Sequence, residues 1–168
     1  FDAHGFEPGE DYASHARRKL GDRIMVAGWR DMRFSAEFDL VTCFHVVEHL
    51  NAPVEAIRAM ASWIKPDGKV LVEVPNMASA INKGIGGLHF AHVLSFNTYN
   101  LRLAGAKAGL RVVRKIAPTI IVFEKGEALD MPRLAREGLA LARANYVAAP
   151  PVSTYLRYQL RKVSGRAP

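Results

Sequence analysis

His45, Glu48 and His49 fall close together at the end of an apolar run, and His89 and His92 follow in a segment with little regular pattern. Imidazole titrates near neutral pH, so His49, His89 and His92 each have the chemistry of a general base able to take a proton from a hydroxyl. A second role stays open for His49, holding its turn through a backbone hydrogen bond. His89 and His92 are equally compatible with incidental loop positions. His45, Glu48 and His49 offer a mixed nitrogen and oxygen donor set of the kind that takes a metal ion. Positions i and i+4 converge only on a helix, however, and Glu48 reads as a packing residue, so no metal centre is expected. Cys43, inside the same apolar run, reads as core filler, because buried thiols are usually inert.

The elements that must position these groups are legible around them. Residues 38–44 form an apolar run with one acid, Asp39, and no alternation, which predicts a strand covered on both faces. Pro53 suits the first turn of a helix, with Asn51 or Ala52 as its cap. Val54, Ile57, Met60, Ala61 and Ile64 then recur at helical spacing. Lys65, Pro66, Asp67 and Gly68 should stop that helix, and residues 70–74 read as a second buried strand. Strand, helix and strand in this span make a βαβ unit with parallel strands. In open α/β sheets ligands bind at the carboxyl ends of strands, which places His45–His49 where a site is expected.

Outside this unit, residues 3–6 read as the end of a strand, 10–20 as a helix closed by Gly21, and 24–27 as a short strand. Residues 77–95 form a long irregular segment containing Gly84, Gly86 and Gly87, and loops of such length are usually functional. Asn97 or Thr98 should cap a helix running to about residue 108. Residues 110–117 and 119–124 read as an antiparallel hairpin. From Gly126 the pattern becomes helical, over 131–146 and again over 154–163. The expected division is therefore a domain at 1–125 and a helical extension at 126–168.

Composition narrows the class. A chain of 168 residues, 49% apolar, can bury a core and is not a disordered segment. Its single cysteine excludes a disulfide framework and points to a reducing cytoplasm. No apolar run approaches the roughly 20 residues of a membrane span. The net charge of +7 is spread over helices rather than gathered in one dense run, so solvated helix faces are the expected reading and nucleic-acid binding is disfavoured.

The order of these elements, with several motifs, resembles the later part of a class I S-adenosylmethionine-dependent methyltransferase. Gly5-Phe6-Glu7-Pro8 resembles the end of that family's second strand, Phe38-Asp39-Leu40-Val41 its fourth strand, and His45-Val46-Val47-Glu48-His49-Leu50 the turn after it. Ile64-Lys65-Pro66-Asp67-Gly68-Lys69 resembles the turn before the fifth strand, with Asp67 in place of the usual glycine. Val72-Glu73-Val74-Pro75-Asn76, and His89-Phe90-Ala91-His92 followed by Phe96, resemble the branch acting on small molecules and envelope glycans. The resemblance spans roughly residues 3–124.

It implies a Rossmann-like, mostly parallel sheet with a C-terminal antiparallel hairpin and a helical tail. It also implies S-adenosyl-L-methionine as cofactor and methyl transfer to a small-molecule acceptor, with O-methylation favoured. By the same resemblance Glu7, with Gly5, Phe6 and Pro8, should hold the ribose hydroxyls. Trp29 and Arg30 should flank the adenine, although a tryptophan there is equally suited to a core edge. Phe44 and His45 should lie near the sulfonium, where aromatic groups suit a cation. Related ubiquinone O-methyltransferases have acid and histidine positions in this turn that look like metal ligands.

The family's first strand and its glycine-rich loop have no counterpart here. They are expected just before Phe1, and the sheet is expected to have an open seam where that central strand would lie. Two other functions stay in view. One is a methyltransferase-like module that is catalytically incomplete. The other is a nucleic-acid or membrane-surface binder using Arg157, Arg161, Lys162 and Arg166 beside Tyr155, Leu156, Tyr158 and Leu160. A homodimer is one arrangement open to the chain.

Overall fold

The computed structural model describes residues 1–79, 91–127 and 130–147. The elements run β1 (Gly5–Glu7), α1 (Glu10–Leu20), β2 (Ile24–Val26), β3 (Phe38–Phe44), α2 (Pro53–Trp63), β4 (Ile64–Glu73), α3 (Thr98–Lys107), β5 (Leu110–Ala117), β6 (Ile120–Lys125) and α4 (Met131–Val147). The segments expected as helix at 154–163 and as basic tail, together with His89, lie outside the described residues.

β1 and β2 pair in parallel as a two-stranded sheet. A second sheet has the order β3-β4-β6-β5, parallel between β3 and β4 and antiparallel through the hairpin. β1 and β3 start side by side, with the His4 and Phe38 rings 6.2 Å apart. Among the described residues no strand pairing joins them. This is the expected seam, lying between two parallel pairs.

The core lies between α2, α3 and the four-stranded sheet. Ala56, Ile57, Met60, Ala61 and Trp63 form the buried stripe of α2, packed with Val70, Val72, Leu101, Leu110, Ile121 and Phe123. Trp63 carries the packing across the seam, its ring 5.8 Å from Phe6 and 5.8 Å from Phe34, edge-on to both. Gly105 of α3 lies against the ring of Phe123, where a Cβ would have no room. α4 docks on α3: Leu134 is buried, and the Asn97 side chain donates to the Gly138 carbonyl at 3.0 Å.

Three local expectations need correction. β3 is not covered on both faces: Leu40 and Phe44 are 53% and 49% exposed, because only one face of the strand meets α2 and its edge toward β1 is unpaired. α2 ends at Trp63, and Ile64 already belongs to β4 opposite Phe38. The residues expected to be a separate helix stop form a bulge within β4 instead. Phe38 pairs with Ile64 and Leu40 with Lys69, so β4 gains three extra residues over β3. Gly68 makes this possible, since a Cβ there would meet the Phe38 carbonyl oxygen at 2.8 Å. Lys65, carried on the bulge, reaches Asp39 at 2.8 Å and holds its carboxyl below the ordinary range, through the hydrogen bond first and charge second. The N-cap of α2 is Ala52, which makes no side-chain cap bond. Asn51 stands outside, and Pro53 alone supplies the start signal.

Candidate functional site

β3 ends at Phe44, and the chain turns sharply. His45 has φ of 53°, a left-handed conformation uncommon for a side chain of its size and typical of strained sites. Three interactions hold it there. Its amide donates to the Glu73 carbonyl at 2.9 Å, its Nε2 lies 3.2 Å from Glu73 Oε1, and its Nδ1 lies 3.5 Å from Glu48 Oε1. Glu73 ends β4, the parallel neighbour of β3, so the pairing delivers a second acid to the same sheet edge. Sequence reasoning did not single it out; its signal was its place at the end of the second parallel strand.

A single 3-10 turn follows at Val47–His49. Its geometry does what an isolated i, i+4 spacing cannot, pointing Glu48 inward and setting His49 beside it. Glu48 is 1% exposed, and neither carboxylate oxygen has a hydrogen bond. Leaving a buried polar group unsatisfied costs about 1–3 kcal/mol, and more for a charged one. Three imidazoles surround it instead. His49 Nε2 stands 3.8 Å and His92 Nε2 4.0 Å from Glu48 Oε1, in addition to His45. These separations exceed hydrogen-bond lengths.

His92 comes from the segment after residue 90, which is tied to the turn at two points. The His49 Nδ1–H donates to the Ala91 carbonyl at 2.7 Å, and the Leu94 amide donates to the Glu48 carbonyl at 3.0 Å. Because a carbonyl only accepts, the first bond places the His49 proton on Nδ1 and leaves Nε2 with its lone pair, facing Glu48. The His49 and His92 rings meet edge-to-face at 4.8 Å. Glu48, His49 and His92 thus present three donor atoms within 4.8 Å of one another. The sequence expectation for this turn rested on helical convergence and on Glu48 as a packing residue; the turn is a 3-10 turn, Glu48 is buried, and His92 joins from a distant segment. Cys43 faces the same interior: burial, and after it the charge of Glu48, pushes its thiol from 9.0 up to about 12, as fits a core thiol.

The residues expected to hold a cofactor lie at the ends of β1, β2 and β3. Gly5, Phe6 and Glu7 make up β1. Glu7 Oε1 accepts the Gly9 amide at 2.8 Å, closing the turn through Pro8 into α1 while leaving the other carboxylate oxygen without a hydrogen bond there. Trp29 and Arg30 form a 3-10 turn just after β2. The Arg30 guanidinium sits 4.4 Å above the Trp29 ring, so one indole face is already covered. Phe44 presents an exposed ring beside the strained His45. A strand-end acid, an indole backed by a guanidinium and an exposed ring near two acids have the chemistry to meet a ribose, a base and a cationic centre. His89 falls outside the described residues.

Comparison with known proteins bears on the family and the fold. Residues 1–115 match a family described as a methyltransferase domain. A ubiquinone biosynthesis O-methyltransferase of Marinobacter nauticus is 31% identical over 113 residues, covering 66% of this chain and 42% of that protein. The chain therefore spans well under half the length of that relative. Among solved structures, DesVI of Streptomyces venezuelae aligns with a TM-score of 0.59 at 19% identity, over 73% of this chain and 74% of the other. The 1,6-didemethyltoxoflavin-N1-methyltransferase of Burkholderia thailandensis, solved with S-adenosylhomocysteine bound, aligns with a TM-score of 0.53 at 17% identity, over 73% and 60%. At such identities these two structures speak to the fold. Among the described residues no helix is long and apolar enough to cross a membrane.

Proposed function

The chain belongs to the methyltransferase domain family, and from that premise we propose that it serves S-adenosylmethionine-dependent methylation of an oxygen atom on a small molecule. The observation that carries this reading is the gathering of His49, His92 and Glu48 at the end of β3, where the fold presents its ligands, in a chain whose first 115 residues match the family. The name of the Marinobacter relative supports oxygen as the acceptor atom, and the cofactor product bound to the Burkholderia neighbour supports the donor.

When bound, S-adenosylmethionine supplies a methyl group on a sulfonium that leaves as a neutral thioether. The tasks left to this chain are alignment and proton removal. Glu7, with the backbone of Gly5, Phe6 and Pro8, would accept the ribose hydroxyls. Trp29 would offer its free face to the base, with Arg30 backing the other. Phe44 and His45 would border the sulfonium. His49 Nε2, the ring nitrogen not engaged by the Ala91 carbonyl, would take the acceptor's proton, with His92 as the alternative. The single buried cysteine fits a reducing, cytoplasmic setting.

One observation favours a second reading, that the chain by itself is catalytically incomplete. The seam between β1 and β3 leaves the cofactor groove without a central strand. Titration calorimetry with S-adenosylhomocysteine separates the two. Saturable binding that weakens at least tenfold in Glu7→Gln is expected on the first. No heat at high ligand concentration would sink it and favour the second.

A further inference from the structure

Glu73, the acid at the end of β4, has no task in the methyl-transfer reading. We propose that its carboxylate, beside the ring of Phe44, forms a wall that recognises the positive sulfonium, and that this recognition favours the charged methyl donor over the neutral thioether left after transfer. The inference rests on the methyl-transfer reading and adds a specificity-determining residue to it.

Strand register brings the two groups together. Phe44 and Glu73 are direct partners in the parallel β3–β4 pair, so their side chains leave the sheet on one face. Burial identifies that face. Cys43, Val72 and Val74 point into the core, whereas Phe44 is 49% exposed and the Glu73 side chain 30% exposed. An aromatic ring and a carboxylate presented side by side both attract a cation, the first through its quadrupole and the second through its charge.

The carboxylate is positioned without being neutralised by a lysine or arginine. Among the described residues its ion pair is with His45, Nε2 to Oε1 at 3.2 Å. Glu124 on the neighbouring β6 is by contrast paired with Lys69 and Arg111, and Asp39 on β3 with Lys65. The Glu73 carbonyl also accepts the His45 amide at 2.9 Å, so one residue fixes both the backbone and the ring of His45. At φ of 53° glycine would serve the turn without strain; the imidazole kept there anchors Glu73. A second acid stands on the other side of the same ring. Glu48, 1% exposed and with no hydrogen bond on either oxygen, points Oε1 at His45 Nδ1 from 3.5 Å. Two carboxylates thus flank one imidazole behind the exposed Phe44 ring.

The consequence concerns exchange of product for donor rather than the chemical step. The two molecules share every group that Glu7 and Trp29 would hold, and they differ by a methyl group and a positive charge. Attraction to that charge strengthens binding of the donor and fades as the charge is lost, so it adds nothing to the rate of transfer.

The test compares dissociation constants for S-adenosylmethionine and S-adenosylhomocysteine by titration calorimetry in the 168-residue chain and in Glu73→Gln, which removes the charge but keeps the shape and an oxygen for His45. Glu73→Gln should weaken S-adenosylmethionine by about threefold or more, a modest factor because the carboxylate is partly exposed and screened, and S-adenosylhomocysteine by less than about 1.5-fold. Phe44→Leu should shift the ratio in the same direction, and Glu124→Gln should leave it unchanged. An equal effect of Glu73→Gln on both ligands, or on neither, would overturn the proposal and leave the methyl-transfer reading standing. A second titration, followed by ¹⁵N shifts, uses trimethylsulfonium iodide, which has the charge but no nucleoside. Saturable shifts at residues 44–46 and 73 that disappear in Glu73→Gln are expected. Seen in a chain that binds neither nucleoside, they would uphold the cation wall and remove the methyl-transfer reading alone; their absence from the unaltered chain would overturn the proposal. Circular dichroism checks each variant, and Phe44→Leu, at an exposed ring, decides both titrations if Glu73→Gln fails to fold.

Discussion

Cys43 and Glu48 face one interior, and the charge of Glu48 bears on the thiol. A thiol raised from 9.0 to about 12 by burial, and then by the Glu48 charge, should resist alkylation by iodoacetamide at pH 8 in the native protein and react promptly in denaturant. Fast native labelling would contradict the burial. The linkage has a definite sign. The folded value lies above the unfolded one, so the contribution to stability is complete below about pH 9 and is lost as pH rises through 12. Urea midpoints taken between pH 8 and 11 should fall, and less steeply in Cys43→Ala. At this scale the sequence showed which residues have useful chemistry but not how they meet. His45, Glu48 and His49 were visible as a cluster, and His92 as a candidate base. Their convergence depends on a 3-10 turn and on two long-range backbone contacts, through Ala91 and Leu94, that no local spacing encodes. Glu73 escaped notice because its role comes from strand pairing.

At the scale of elements, α3 shows how local signals and packing divide the work. Asn97 caps it by accepting the amides of Tyr99 and Asn100 at 2.9 and 3.0 Å, and its amide group also reaches α4 at Gly138. Loss of a cap costs about 1 kcal/mol, and loss of the added bond to the Gly138 carbonyl about 0.5–1.5 more. Asn97→Ala should therefore lower stability by about 1.5–2.5 kcal/mol in urea denaturation, whereas a loss below about 0.5 would show that α4 is not held through this residue. Gly105→Ala tests opposing effects. Alanine gains about 1 kcal/mol of helix propensity, but its Cβ would press on the fully buried ring of Phe123, an overpacking worth about 1–3 kcal/mol. Net destabilisation of about 1 kcal/mol is expected, and stabilisation would mean that Phe123 gives way. The caps of α1 and α3, the hairpin and the parallel β3–β4 pair were all legible from turn residues and apolar runs. The bulge in β4 was not, since Lys65-Pro66-Asp67-Gly68 is as good a helix stop as it is a bulge; only the pairing of Phe38 with Ile64 decides.

For the whole molecule the seam is the dominant feature. Among the described residues β1 and β2 pair only with each other, and three residues of ladder on each strand are little to hold them. Their attachment to the other sheet rests on Phe6 against Trp63 and on Trp29, Met32 and Phe34 packed against the core. Hydrogen exchange should accordingly show the amides of residues 5–7 and 24–26 exchanging well before those of β4 and β6, and equal protection would contradict a divided sheet. The seam was foreseeable because the element order lacked a central strand, whereas the exposure of Leu40 and Phe44 beside it followed only from the structure. On the function proposed above, strand ends on both sides of this seam form one cofactor site. A titration of ¹⁵N-labelled protein with S-adenosylhomocysteine tests it most directly. Saturable shifts should appear together at residues 5–8, at Trp29 and Arg30, and at 44–49. No shifts, or shifts confined to the hairpin and α4, would contradict it.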